Sequence, residues 1–210
     1  MMKLNRRAMI ALAAAATAAM TPALAQETTT EAAAPVVGDY SLGSPDAKVK
    51  MVEYASFTCP HCADFHDNVF TQLKKDYIDT GKVHFTLREV YFDRYGLWAA
   101  LIARCGGEMR YFGIQDMLFA KQKEWAAAES PQQVVENLKT IGRAAGLEDA
   151  AMDACLNDAP TAEALIKQFQ INFEADGVQG TPTLFINGTK HSNMTYADLK
   201  AILDAELAKE

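Results

Sequence analysis

The sequence predicts an α/β fold in which a β-α-β unit and a β-β-α unit flank a long helical block. Three observations carry this. Lys48 to Phe57 and Lys82 to Val90 alternate with period two on either side of an apolar pattern at three- and four-residue steps. Residues 93–176 hold several helical patterns and no convincing strand. Thr183 to Ile186 then reads as a short strand running into Asn187-Gly188, a strong hairpin turn.

In the first strand Val49, Met51, Glu53 and Ala55 lie on one face and Val52 and Tyr54 on the other, the pattern of a strand buried on both sides. From Pro60 to Thr80 the residues Cys62, Phe65, Val69, Phe70, Leu73 and Tyr77 line one helical face, and Gly81 supplies the stop. Val83, Phe85 and Leu87 alternate with His84, Thr86 and Arg88 in the second strand. The helical block runs through Leu97 and Leu101, Phe112 and Phe119, Val134 to Ile141, and Leu165 to Phe173, punctuated by Gly106-Gly107, Ser130-Pro131, Gly146 and Pro160. Thr189 to His191 completes the hairpin, and Thr195 with Asp198 caps a last helix whose Tyr196, Leu199, Ile202 and Leu203 face inward. The domain therefore comprises residues 40–92 and 177–210, interrupted by a helical insertion at 93–176.

Residues 1–25 have the form of a cleaved export signal. Lys3, Arg6 and Arg7 precede an apolar run from Ala8 to Met20, and Ala23-Leu24-Ala25 fits the small-residue cleavage pattern. That run is too short to span a bilayer comfortably, so the mature chain is expected to be soluble. Cleavage after Ala25 goes with a periplasmic location, and a monomer is the expected state. Arg6-Arg7 leaves the general and the twin-arginine export routes both open. Residues 26–39, rich in Thr, Ala and Glu, are expected to be a disordered leader. Removing the signal takes the net charge from −7 to −10, which argues against nucleic acid and anionic membrane as ligands.

Four cysteines in an exported chain direct attention to disulfide chemistry. Cys59-Pro60-His61-Cys62 sits at a helix start, where free N–H groups and the positive end of the helix dipole favour thiolate at Cys59. Thiolate is both the nucleophile and the better leaving group in exchange, so its stabilisation makes the disulfide more oxidising. Cys59 is the expected attacking sulfur and Cys62, one turn in on the apolar face, the resolving one. Pro60 stiffens the ring and His61 adds stabilisation to the thiolate if its imidazole lies near.

Strand, Cys-x-x-Cys at a helix start and Gly180-Thr181-Pro182 before a β-β-α tail resemble the thioredoxin superfamily. The helical block and the Pro-His dipeptide are similar to the DsbA-type periplasmic oxidases, over about Tyr40 to Glu210. The resemblance implies a cis Pro182 lying against the active disulfide, which frees the Thr181 backbone for an extended substrate; an ordinary trans proline is the alternative. It implies a buried acid at Glu53 that relays protons to or from Cys62, against the alternative of a rim carboxylate paired with Lys48, Lys50 or Arg88. It implies, from the members with an extra cysteine pair in the insertion, a structural disulfide between Cys105 and Cys155; two buried free thiols are the other possibility. It implies a dithiol oxidase for reduced, unfolded exported proteins that needs no dissolved cofactor and is reoxidised by a quinone-linked membrane protein of the DsbB type. A reductase or isomerase of the same fold remains the rival, although isomerases of this kind usually carry an N-terminal dimerisation domain for which residues 26–39 leave no room.

A non-enzymatic metal-binding or chaperone module is the remaining rival. Cys59, Cys62 and His66 fall on one side of a helix, a set that could ligate zinc or copper(I), but no second Cys or His cluster accompanies it, and no metal is expected. His84, His191, Trp98 and Trp125 read as surface or packing residues. Client proteins, reoxidant, direction of electron flow and oligomeric state are beyond what spacing reveals.

Overall fold

Five strands form one mixed sheet in the order β1-β3-β2-β4-β5 in a computed structural model that describes residues 35–209. The expected signal at 1–25, and most of the leader at 26–39, lie outside the described residues. Strand β2 (Val49–Ala55) runs parallel to β3 (Val83–Glu89), Val49 opposite Val83, and antiparallel to β4 (Thr183–Ile186). The hairpin to β5 (Thr189–Ser192) turns at Asn187 and Gly188, both at positive φ, and the Asn187 side-chain oxygen accepts from the Lys50 N–H at 2.8 Å.

Burial on both faces makes β2 the spine of the sheet. Val49, Met51, Glu53 and Ala55 are buried in the main core, while Tyr54 packs on the other side with Val90 and Val178 against Phe169, Phe173 and Phe185. Lys50, near the strand's start, remains exposed.

One edge strand, β1 (Tyr40–Leu42), has no counterpart in the sequence pattern. Three residues are too few to display an alternation, and its pairing with β3 is carried by the ladder and by the Ser41–Thr86 hydroxyl contact of 2.8 Å. Just before it, Asp39 pairs with Arg88 at 3.0 Å and the Gly38 carbonyl accepts from Arg104.

Helix α1 (60–78) crosses from β2 to β3. It is α-helical over Pro60–Phe65 and Thr71–Leu73 and widens to π turns over His66–Phe70 and Lys74–Ile78. Its predicted face, from Cys62 to Tyr77, is buried throughout. The Lys82 N–H reaches the Tyr77 carbonyl and the Gly81 N–H that of Ile78, with Gly81 at φ +74, so glycine closes the helix at little steric cost.

The insertion is entirely helical: α2 (Arg94–Cys105), α3 (Gly107–Ala120), α4 (Gln122–Ala126), α5 (Pro131–Ala144), α6 (Asp149–Leu156) and α7 (Ala159–Ala175). Asp93, Ser130 and Asp158 cap α2, α5 and α7 with their side chains. Buried Ala99, Ala100 and Ala103 allow α2 to be packed from several sides. Gly142 lets α5 approach Met152, since a Cβ there would stand 2.3 Å from the Met152 sulfur. The charged end of β3 is buried among these helices: Glu89 accepts from Tyr91 and Tyr111 at 2.5 Å and from Arg104 at 2.8 Å. Helix α7 supplies Phe169 and Phe173 to the second face of the sheet, and α8 (Tyr196–Ala208), capped by Thr195, returns Leu199 and Leu203 to the main core. No helix among the described residues is long and apolar enough to cross a membrane.

Cys105, the last residue of α2, is bonded to Cys155 in α6, 50 residues away. Closing a loop of that length restricts the unfolded chain, so replacing both cysteines by alanine is expected to lower unfolding free energy by about 4 kcal/mol, with Cys59 and Cys62 still interconverting between thiol and disulfide. Denaturant titration of the oxidised proteins measures this, and an unchanged midpoint would contradict it.

Candidate active site

The chain leaves β2 through Ser56, Phe57 and Thr58 and enters α1 at Pro60, placing Cys59 at the helix N-cap. Cys59 has extended backbone angles (φ −81°, ψ 117°) and is half-buried, while Cys62, one turn later, is 0% exposed. Both sulfurs are free thiols, so the structure is that of the dithiol form. The loop before them is held from two sides. Thr58 donates to Asp93 at 2.6 Å, tying it to the cap of α2, and Gln122 of α4 donates to the carbonyls of both Phe57 (2.8 Å) and Cys59 (2.9 Å). Phe57 packs against Phe119 with ring centres 5.0 Å apart.

Across from the cysteines the Thr181-Pro182 peptide bond is cis, and the Cys59 thiol lies 3.4 Å from the Thr181 carbonyl. The Thr181 hydroxyl is buried without a hydrogen-bond partner of its own and favours the charged form of both sulfurs. A shallow recess of about 490 Å³ runs along this loop beside Lys190, His191 and Ser192, next to the exposed strand β5.

The two sulfurs have opposite acidities. Cys59 is lowered to about 5, chiefly by the hydrogen bond from Cys62, then by Thr181 and the N–H groups of Cys62 and His61, against a smaller opposing effect of burial. Cys62 is driven far up, first by burial, then by its bond to Cys59 and by the negative charge of Glu53. One helical turn thus separates a sulfur that is thiolate at neutral pH from one that holds its proton. His61 enters through its main-chain N–H; its side chain is exposed.

Glu53 lies fully buried on β2, and its partner is none of Lys48, Lys50 or Arg88 but His66, whose Nε2 stands 3.0 Å from Oε2. His66 is itself buried, stacked on Phe119 with ring centres 4.0 Å apart, and its Nδ1 faces the Gln115 amide at 3.3 Å. The histidine that shares a helix side with Cys59 and Cys62 is therefore occupied by a carboxylate. No group of three or more His, Cys, Asp or Glu side chains among the described residues is placed to hold a metal ion. Sequence reasoning missed this pairing because it joins a strand to a helix, although the i, i+3, i+7 spacing had marked His66. It missed Gln122 altogether, since a five-residue helix carries no periodic signal.

A redox-type Cys-x-x-Cys at the head of a helix, facing a cis-proline loop on a β-α-β/β-β-α sheet, defines a thioredoxin-class site. The chain belongs to the thioredoxin family, whose model matches residues 36–205. The solved structures it resembles include DsbA-type proteins: Wolbachia pipientis alpha-DsbA1 is 29% identical, with a TM-score of 0.76 over 82% of this chain and 92% of that one. A Rickettsia bellii relative bearing the name protein-disulfide oxidoreductase is 34% identical over 79% of this chain, which spans 63% of that protein's length. Disulfide bond formation protein D of Bacillus subtilis is 26% identical, over 82% of this chain and 78% of that protein.

If the Cys62 hydrogen bond is the main stabiliser of the Cys59 thiolate, Cys62→Ala should raise the Cys59 midpoint from about 5 toward the ordinary thiol range. Thiolate absorbance against pH reads this directly, and an unshifted curve would reassign the effect to the backbone. Because the folded thiol is the more acidic one, its contribution to the stability of the dithiol protein is complete above the unfolded thiol's pKa, near 9, and is lost as pH falls toward about 5. Denaturation of the reduced protein, measured relative to the oxidised one, should show that loss. For the Gln122 clasp, Gln122→Ala is expected to cost about 1–3 kcal/mol in unfolding free energy through the carbonyl acceptors it strands.

Proposed function

We propose that this chain is an exported dithiol oxidase that donates the Cys59–Cys62 disulfide to folding periplasmic proteins. The observation that carries the reading is the division of labour over one turn of α1, a half-buried Cys59 beside the Thr181 carbonyl and a fully buried Cys62. A substrate thiolate attacks the Cys59 sulfur, the S–S bond breaks, and Cys62 leaves with the electron pair and takes up a proton. The substrate's second thiolate then attacks its own sulfur in the mixed disulfide, and Cys59 leaves as a thiolate. The second departure is favoured by the acidity of Cys59, which stabilises the reduced protein and so makes its disulfide the stronger oxidant.

The remaining groups take roles around these steps. Thr181 and Pro182 present an extended substrate segment along the recess beside β5. Glu53 relays the proton of Cys62. Pro60 and the His61 N–H hold the ring and its charge, and the Cys105–Cys155 disulfide braces the insertion. The cycle uses no dissolved cofactor. Clients are reduced, unfolded exported proteins, and the reoxidant is a quinone-linked membrane protein of the DsbB type. The names of the Rickettsia and Bacillus relatives support disulfide chemistry as the class of reaction.

The deciding measurement is the reduction potential of Cys59–Cys62 in a redox buffer. A value well above thioredoxin's, about −270 mV, is expected, and one near it would overturn the oxidase direction in favour of a reductase. Cys59→Ser should abolish oxidation of a reduced unfolded protein and form no mixed disulfides, whereas an intact function in that variant would point to a binding module instead.

A further inference from the structure

The loop that presents Cys59 gathers carbonyl oxygens around its sulfur. Each is the negative end of a dipole, and a thiolate close by is disfavoured unless a donor offsets that field. The Cys59 carbonyl accepts from the N–H groups of Cys62 at 3.1 Å and Ala63 at 3.2 Å, the first bonds of α1. Gln122 adds a third donor to the same oxygen at 2.9 Å and also donates to the Phe57 carbonyl at 2.8 Å. Two acceptors fix which way the amide faces, since its own oxygen would be repelled there. The mount is rigid. Gln122 is 5% exposed and opens α4, where buried Trp125 donates its indole N–H to the Leu118 carbonyl at 2.8 Å. Phe119 packs on Phe57 beside it.

We propose that Gln122 is a positioning residue that sets the oxidising strength of the Cys59–Cys62 pair, by holding the Cys59 N-cap in the arrangement that the thiolate needs and the disulfide does not. The inference deepens the oxidoreductase reading and rests on it. The insertion, through one side chain, thereby tunes cysteines that belong to the β-α-β unit.

Two effects act in the same direction. The extended angles of Cys59 (φ −81°, ψ 117°) place its sulfur over the His61 and Cys62 N–H groups, and a carbonyl pinned by three donors holds ψ at that value. The amide also offsets the negative ends of two carbonyls within two residues of the sulfur. A neutral disulfide sulfur gains little from either effect; a thiolate gains from both. The carboxylate tied to this loop, Asp93, is held by the Thr58 hydroxyl and by the N–H groups of Tyr95 and Gly96, so it is already satisfied. A clasp that merely kept the loop in place would instead stabilise both redox forms alike. Coupling of this kind is reciprocal, so the thiolate must in turn tighten the clasp.

The test is equilibration of the full-length protein with glutathione, in which the Cys59–Cys62 disulfide and two glutathione thiols give the dithiol and one glutathione disulfide. In Gln122→Met, which keeps the length of the side chain and removes its donors, the constant for this reaction should fall by about threefold or more. The Cys59 thiolate absorbance should titrate at higher pH than the wild-type value of about 5. Denaturant unfolding should show a greater loss of stability in the dithiol form than in the disulfide form, by the same factor. An unchanged constant and titration, with equal losses in the two forms, overturns the inference and leaves the oxidoreductase reading intact. If the variant does not fold, wild-type protein decides: the Gln122 side-chain amide protons, followed by NMR, should exchange with solvent more slowly in the dithiol form. Equal or faster exchange there overturns the inference. A wild-type protein that neither exchanges with glutathione nor oxidises a reduced protein overturns the reading itself.

Discussion

The first turn of α1 (60–78) has to do two incompatible things: hold one sulfur where solvent and substrate can reach it and bury its partner completely. A helix resolves the conflict because residues three apart share a face, whereas the N-cap residue still has extended backbone angles and projects out of the cylinder. Everything near the site follows from keeping that turn in place. Gln122 clasps the carbonyls of the loop that precedes it, Asp93 takes the hydroxyl of Thr58 while capping α2 (Arg94–Cys105), and Phe119 packs against both Phe57 and His66. The insertion is therefore part of the wall of the site, and its helices supply contacts that neither strand of the β-α-β unit can make.

Burying charge beside an apolar core is costly unless each charge meets a donor or an opposite charge. Among the described residues the sheet itself buries two such carboxylates. Glu89, at the end of β3, accepts from two tyrosines and Arg104, and the phenols are raised well above their ordinary range by burial and then by its negative charge. That network is saturated, and it locks α2 and α3 to the sheet. Glu53 on β2 has only one donor and one idle oxygen. The two glutamates, similar in burial, thus differ in how fully their oxygens are satisfied.

The legible part of the sequence was the part written in periods. The alternations of β2 and β3, the face from Cys62 to Tyr77 and the Asn187-Gly188 hairpin stand where the pattern puts them, because burial on a regular element repeats at a fixed interval. Strand β1 (Tyr40–Leu42) was invisible because three residues cannot show a period, and its place depends on the edge that β3 leaves open. The cysteines and the Thr181-Pro182 step could be seen at once, since their chemistry is tied to residue type. The partner of Glu53 could not: Lys48 and Lys50 close by in sequence and Arg88 on the neighbouring strand were candidates, but adjacent residues along a strand point to alternate faces, and the helix packed over β2 brought His66 instead. Gln122 shows the same limit. Its amide matters because of two carbonyls more than sixty residues back in the chain.

The asymmetry of the two sulfurs also bears on which way electrons run. In a disulfide both sulfurs are neutral and neither helix N–H groups nor neighbouring hydroxyls gain much from them; in the dithiol form, Cys59 carries charge and collects every one of those interactions. Whatever lowers its proton affinity therefore stabilises the reduced state alone. Burial of Cys62 pulls the other way on charge, since a second thiolate there would meet Glu53 and a low dielectric, and it ensures that only one of the two sulfurs ionises. A site built like this releases Cys59 easily and recaptures it reluctantly, and that is the physical basis of the oxidase direction proposed above.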